Sequence, residues 1–100
     1  MKPIDISYQS VVDLEADKIL KLSVEEFLKI DDYGTIETKV NEKKTSIRFW
    51  HYKLSENLRH IVFKASRRCY FILHKVYLSG VKFENGKILR MDDKEIGKYD

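Results

Sequence analysis

The stretch TSIRFWHYKLSENLRHIVFKA (residues 45–65) decides the fold. Its side chains alternate in twos, the period of a half-buried strand. Ile47 and Phe49 share a face with Ile61, Phe63 and Ala65 if Ser55–Asn57 is a turn. Two strands are therefore predicted, at 45–54 and 58–65. Their register sets Arg48 opposite Lys64, Trp50 opposite Val62, Tyr52 opposite His60 and Leu54 opposite Leu58.

Working outward, the same period predicts strands at 35–40, at 69–84 with a bend at Gly80, and at 87–91. Asn41–Lys44, Ser66–Arg68 and Asn85-Gly86 are the remaining turns, and Asn-Gly suits a two-residue type I′ hairpin. With these turns, one face collects Ile36, Thr38, Val40, Ile47, Phe49, Ile61, Phe63, Ala65, Cys69, Phe71, Leu73, Val81, Phe83 and Ile88. All but Thr38 are apolar, which is the signature of a five-stranded antiparallel meander with one buried face. Arg59 and Lys75 have the same parity and are expected at the sheet margin. Cys69 reads as a small buried hydrophobe, and a lone cysteine leaves no internal disulfide.

Before the sheet, residues 11–30 read as helical, since Val12, Ala16, Ile19, Leu20, Val24, Phe27 and Ile30 recur at three- and four-residue spacing. Ser23-Val-Glu-Glu26 has capping-box spacing, so a second helix can start at Val24; a strand at Lys18–Leu22 is the competing reading. Asp31–Gly34 closes the helical part, and a short helix is expected at Asp92–Lys98. The predicted fold is α+β and two-layered. An N-terminal helix, or two short ones, packs on a five-stranded antiparallel meander within a single domain 1–100 (helical 11–31, sheet 35–91).

Charge is unevenly placed along the 100 residues. Lys43–Arg90 holds twelve Lys and Arg against Glu56 and Glu84, a balance of +10, while residues 1–42 carry −5 and residues 91–100 carry −2. The basic segment also holds eight of the twelve aromatic residues. No apolar run approaches the roughly 20 residues of a spanning helix, and MKPIDISYQS lacks the apolar core of a signal peptide. The expectation is a cytoplasmic chain with no membrane partner.

The face opposite the core is where function is sought. Trp50, Leu54, Val62, Ile72 and Val76 form an apolar patch there, predicted as a homodimer interface. Arg48, Trp50, Tyr52, Lys64, Arg67, Arg68 and Tyr70 combine phosphate-pairing cations with stacking rings, and are expected to bind an anionic partner, either nucleic acid or an acidic protein surface. Arg67-Arg68 is placed at a projecting hairpin tip, and Glu37 beside Arg48. His60 and His74 are predicted direct neighbours next to Tyr52, a candidate acid/base set for RNA cleavage or a ligand pocket. His51 has core-face parity near a strand end and is expected at the sheet margin.

No metal site is expected: the acids cluster in the helical half, away from the histidines. No phosphate loop, nucleophile elbow or dinucleotide fingerprint is present, so no cofactor is expected either. Three readings follow. The first is a non-enzymatic, homodimeric cytoplasmic protein that binds an anionic partner. The second is a cystatin-like roll, enzymatic or ligand-binding, built around His60, His74 and Tyr52. The third is an inhibitor or immunity-type protein that binds a basic partner through the acidic helix, with Glu25 and Glu26 in the contact.

Overall fold

A computed structural model describes residues 2–69 and 73–100. Helix α1 (Pro3–Leu20) and the short α2 (Val24–Leu28) precede five strands, and a last short helix, α3 (Asp93–Gly97), follows them. The strands are β1 (Tyr33–Val40), β2 (Lys43–Ser55), β3 (Leu58–Cys69), β4 (Leu73–Glu84) and β5 (Lys87–Arg90). They form one antiparallel sheet in the order β1-β2-β3-β4-β5, and the fold class is the expected α+β.

Helix α1 starts eight residues before the predicted helical stretch. Pro3 occupies its first turn, where a missing N–H costs nothing, and Asp5 sits near the positive end of the helix dipole. Tyr8, Val12 and Ala16 form its buried stripe. A strand at Lys18–Leu22 is ruled out, because that segment ends α1 and turns into the cap of α2. At Ser23 the capping box is complete: the Ser23 hydroxyl accepts from the Glu26 N–H, and the Glu26 carboxylate accepts from the Ser23 N–H.

The turns explain the hairpins. Asn41 and Glu42 both adopt positive φ (49° and 69°), as do Asn85 and Gly86 (51° and 83°), which is the type I′ pattern that matches strand twist. The β2–β3 register is as predicted from Arg48↔Lys64 to Tyr52↔His60, then shifts at a bulge so that Ser55 meets Leu58. Between β1 and β2, Arg48 faces Thr35, whereas Glu37 faces Ser46 and accepts its hydroxyl proton. The expected Glu37–Arg48 pair is therefore not made.

The β3–β4 hairpin departs most from expectation. Ser66–Arg68 is strand, not turn, and Cys69 faces Leu73. The partner of His60 is Lys82 and that of Lys64 is Leu78, so every predicted pair on this hairpin changes. The faces do not change, because the two registers differ by an even number of residues. Ile47, Ile61, Phe63, Ala65, Val81 and Phe83 are buried as expected, but Leu73 is 60% exposed. Tyr70, Phe71, Ile72 and the side chain of Cys69 lie outside what the structure describes.

Helix α1 lies across the core face of β3, β4 and β5, where Tyr8 stacks on Tyr77 with ring centroids 5.2 Å apart. From α2, Phe27 fills the far end of the same core against His51 and Phe83. The chain then returns over the opposite face. The Met91 N–H donates to the Gly80 carbonyl, and a β-carbon on Gly80 would sit 2.5 Å from both Ile96 Cδ1 and Met91 Sδ. Glycine is what allows this close approach. The second face is thus partly roofed by α3, and the two-layer expectation gains a third, partial layer.

Candidate anion-binding site

The two sheet halves part company beyond the Arg48↔Lys64 row. From there β2 continues to Lys43 paired with β1 alone, and β3 continues to Cys69 paired with β4 alone. The sequence supplies a reason. Extending the same register would set Lys44 opposite Arg68 and Thr45 opposite Arg67. Arg48 already faces Lys64, and each directly opposed like-charge pair opposes the ladder.

The gap is a cavity of about 590 Å³. Lys44, Arg48, Lys64, Arg67 and Arg68 line it together with His74, and no carboxylate does so among the described residues. Trp50 and Tyr8 supply its rings and Ser46 and Ser66 its hydroxyls. Lys44, Arg48 and Lys64 enter no ion pair among the described residues. On the other side of the sheet a second cavity, of about 470 Å³, shares Tyr8, Arg67 and Arg68 and adds Lys43 and Asn41. The two cavities adjoin at these three residues.

Of the seven residues expected to meet an anionic partner, Arg48, Trp50, Lys64, Arg67 and Arg68 converge here. Tyr70 lies outside the described residues. Tyr52 is elsewhere, stacked on Tyr99 at a centroid distance of 4.7 Å. Arg67 and Arg68 are not a projecting tip, since successive strand residues point to opposite faces. Arg67 turns to α1, where its guanidinium donates to Asp5 (3.4 Å) and to the Tyr77 hydroxyl (3.3 Å). Asp5 is 2% exposed and also accepts from Tyr77 and pairs with Lys75 at 2.9 Å. These contacts, the Tyr77 hydrogen bond foremost, hold the Asp5 carboxyl far below the usual range. Lys75 is raised by its bond to Asp5, while burial leads in raising Tyr77. This network, which nothing in the sequence pattern announced, fixes Arg67 in the cleft wall.

The histidine pair does not exist. His60 faces Lys82, and His74 faces Arg68 eight residues further along β4, about 26 Å at strand rise. His60 is buried under the C-terminal segment, sharing a 2.7 Å hydrogen bond between its Nδ1 and the Tyr99 hydroxyl. Burial lowers its pKa from the ordinary value. His51, expected at a margin, is a core residue whose Nδ1–H donates to the Ile30 carbonyl. Its Nε2 is buried without a hydrogen-bond partner among the described residues, and burial depresses its pKa too. His74 alone is at the cleft.

The predicted dimer patch is likewise divided. Val62 is 1% exposed within a single chain, Trp50 and Val76 are half-buried, Leu54 is exposed and Ile72 lies outside the described residues. The acidic helical half is engaged in part by the sheet. Arg90 binds Asp13 and Asp17, Lys53 binds Asp32, and Asp5 is held as described. Glu26 is committed to its cap, whose backbone hydrogen bond from Ser23 lowers its pKa.

Among the described residues no group of His, Cys, Asp and Glu could hold a metal ion, and no helix is long and apolar enough to cross a membrane. Comparison with protein-family models, curated proteins and solved structures finds no match.

Proposed function

We propose that this chain is a non-enzymatic binding protein whose cleft between β2 and β3 takes a polyanionic partner. The observation that carries the reading is the lining of one concavity by five cations with an indole beside them and no carboxylate among the described residues. Cations that line a concavity focus the field onto an incoming anion more than the same charges spread over a convex surface. With Val62 inside the fold, the proposed site is complete in one protomer. Separation of His60 from His74 favours binding over the acid/base reading, and engagement of Asp5, Asp13 and Asp17 with the sheet weakens an acidic-helix contact.

The test is affinity against salt for a labelled polyanion, read by fluorescence anisotropy. Phosphate contacts by Lys44, Arg48 and Lys64 on a flexible strand give a slope of log K on log salt of roughly −2, or about 20-fold between 50 and 200 mM salt. The double charge reversal Arg48→Glu with Lys64→Glu should abolish binding. No binding to any polyanion at low salt, or a charge-reversed protein that binds as well as the original, would sink the proposal.

A further inference from the structure

Resting on that reading, we infer that the partner is a single-stranded nucleic acid, with a base stacked on Trp50 and the phosphates carried by the two banks of the cleft. Three features of the cleft separate this partner from other polyanions.

The first is the layout of the cations. Lys44 and Arg48 stand four residues apart on β2, and Lys64 and Arg68 four apart on β3, about 13 Å at strand rise. They frame a wedge that is closed at the Arg48↔Lys64 row and open towards Lys44 and Arg68. Arg67 stands in the wall, oriented by Asp5 and Tyr77. Cations on two facing rails suit a backbone that passes between them, whereas a rigid rod would touch one rail at a time.

The second is the ring. Trp50 sits two rows inside the closed end, opposite Val62, and its half-buried indole lines the cavity. An acidic peptide gains little from an indole beside its carboxylates. A nucleobase gains a stacking partner whatever its identity, because every base has a π-face. In a duplex those faces are already stacked on their neighbours, so the ring selects single strands.

The third is that the positive lining does not stop at one cavity. The cavities on the two sides of the sheet share Tyr8, Arg67 and Arg68, and Lys43 continues the positive lining in the second. An extended polymer can follow such a lining from one concavity to the next, whereas a compact anion would occupy only one.

The experiment titrates the native protein with a short oligothymidylate, an abasic strand of equal length and charge, a duplex of equal length, and polyglutamate. The intrinsic emission of Trp50, the chain's one tryptophan, reports the ring, and anisotropy reports affinity. The expected result is quenching of Trp50 by oligothymidylate and binding about tenfold or more tighter than that of the abasic strand. Trp50→Leu should bring oligothymidylate affinity down to that of the abasic strand. Equal binding of the two strands with Trp50 emission unmoved overturns the inference and leaves the polyanion reading standing. So does preference for the duplex or for polyglutamate. Failure of all four probes to bind at low salt removes both. The comparison of oligothymidylate with the abasic strand uses the unaltered protein, so it decides the matter even if Trp50→Leu does not fold.

Discussion

Gly80 is the point at which the C-terminal roof meets the sheet, and substituting it tests that contact directly. An alanine β-carbon at this position would lie 2.5 Å from Ile96 Cδ1 and from Met91 Sδ, and 3.2 Å from the Ile61 carbonyl oxygen. Carbon atoms prefer roughly 3.5–4.0 Å, so both side-chain ends must retreat by about 1–1.5 Å. Each is the mobile tip of its side chain, and the backbone oxygen is only slightly tight. Overpacking of this kind costs about 1–3 kcal/mol, against a gain of about 0.5–1 kcal/mol from replacing glycine within an extended segment. Gly80→Ala should therefore lose about 1 kcal/mol. Gly80→Val, which adds two more methyl groups against the same neighbours, should lose about 3 kcal/mol and lift α3. Urea unfolding measures the loss. An NMR titration of His60 supplies the second reading, because lifting the segment that carries Tyr99 rehydrates the imidazole and returns its lowered pKa upward. If Gly80→Val is as stable as the original and His60 titrates unchanged, the roof is not packed as described.

Three further outcomes follow from single contacts. Glu42 holds a left-handed φ of 69° in the Asn41-Glu42 turn, a position where a β-carbon is strained, so Glu42→Gly should stabilise by about 0.5–1 kcal/mol in thermal or urea unfolding; a loss would mean that the turn relaxes at no cost. Asp92 caps α3, accepting from the Glu95 N–H at 2.8 Å while the Glu95 carboxylate accepts from the Asp92 N–H, so Asp92→Ala should cost about 1 kcal/mol and speed hydrogen exchange at Ile96; unchanged exchange there would argue against the cap. Burial lowers His51 and His60 below the ordinary imidazole value of 6.5, so the unfolded chain binds more protons as pH falls through that value. Stability should then decline from pH 7.5 to 5.5 and the decline should be shallower in His51→Gln; stability that is flat or rising across that window contradicts the burial. Asp5 acts separately, with its contribution lost only below the ordinary carboxylate range.

What was legible in the sequence was parity. Alternation along residues 45–65 placed Arg48, Trp50 and Lys64 in register because one turn, Ser55–Asn57, separates two well-patterned strands, and that register holds down to Tyr52↔His60. The β3–β4 hairpin shows the limit of the same method. Moving a hairpin by an even number of residues leaves every side chain on its own face, so burial cannot detect the error. Turn chemistry had to decide, and it pointed the wrong way. Polar Ser66-Arg67-Arg68 resembles a turn, whereas β3 runs through it and ends in the apolar run that begins at Cys69. The His60–His74 pair depended on that turn and failed with it. Helix α1 was readable further back than expected, since Ile4, Tyr8 and Val12 continue its stripe and Pro3 suits a first turn. The strand-like alternation of Ile4-Asp5-Ile6 hides that signal locally.

The charge blocks of the sequence, acidic before residue 43 and basic after it, meet in three dimensions, and how they meet explains where the cleft lies. Helix α1 crosses β4 and β5, and there the pairs form: Asp5 with Lys75 and Arg67, Asp13 and Asp17 with Arg90. On the roofed face Lys82 meets Glu84 and Glu95, and at the β1–β2 end Lys53 meets Asp32. The second-face cations Lys44, Arg48 and Lys64 enter no ion pair with a carboxylate of α1, α3 or any other described residue. One row of opposed cations, Arg48 with Lys64, costs a few tenths of a kcal/mol, which the flanking Phe49↔Phe63 and Trp50↔Val62 rows can carry. Continuing the register would set Ile47 against Ala65 and Ser46 against Ser66, and then add Lys44 against Arg68 with no apolar pair beyond it. The strands part after the Arg48↔Lys64 row; β2 keeps β1 and β3 keeps β4, and the backbone groups on their facing edges are left turned to the gap. Positive charge that would have opposed the sheet is thereby turned towards the gap, which is where the proposed polyanion site lies.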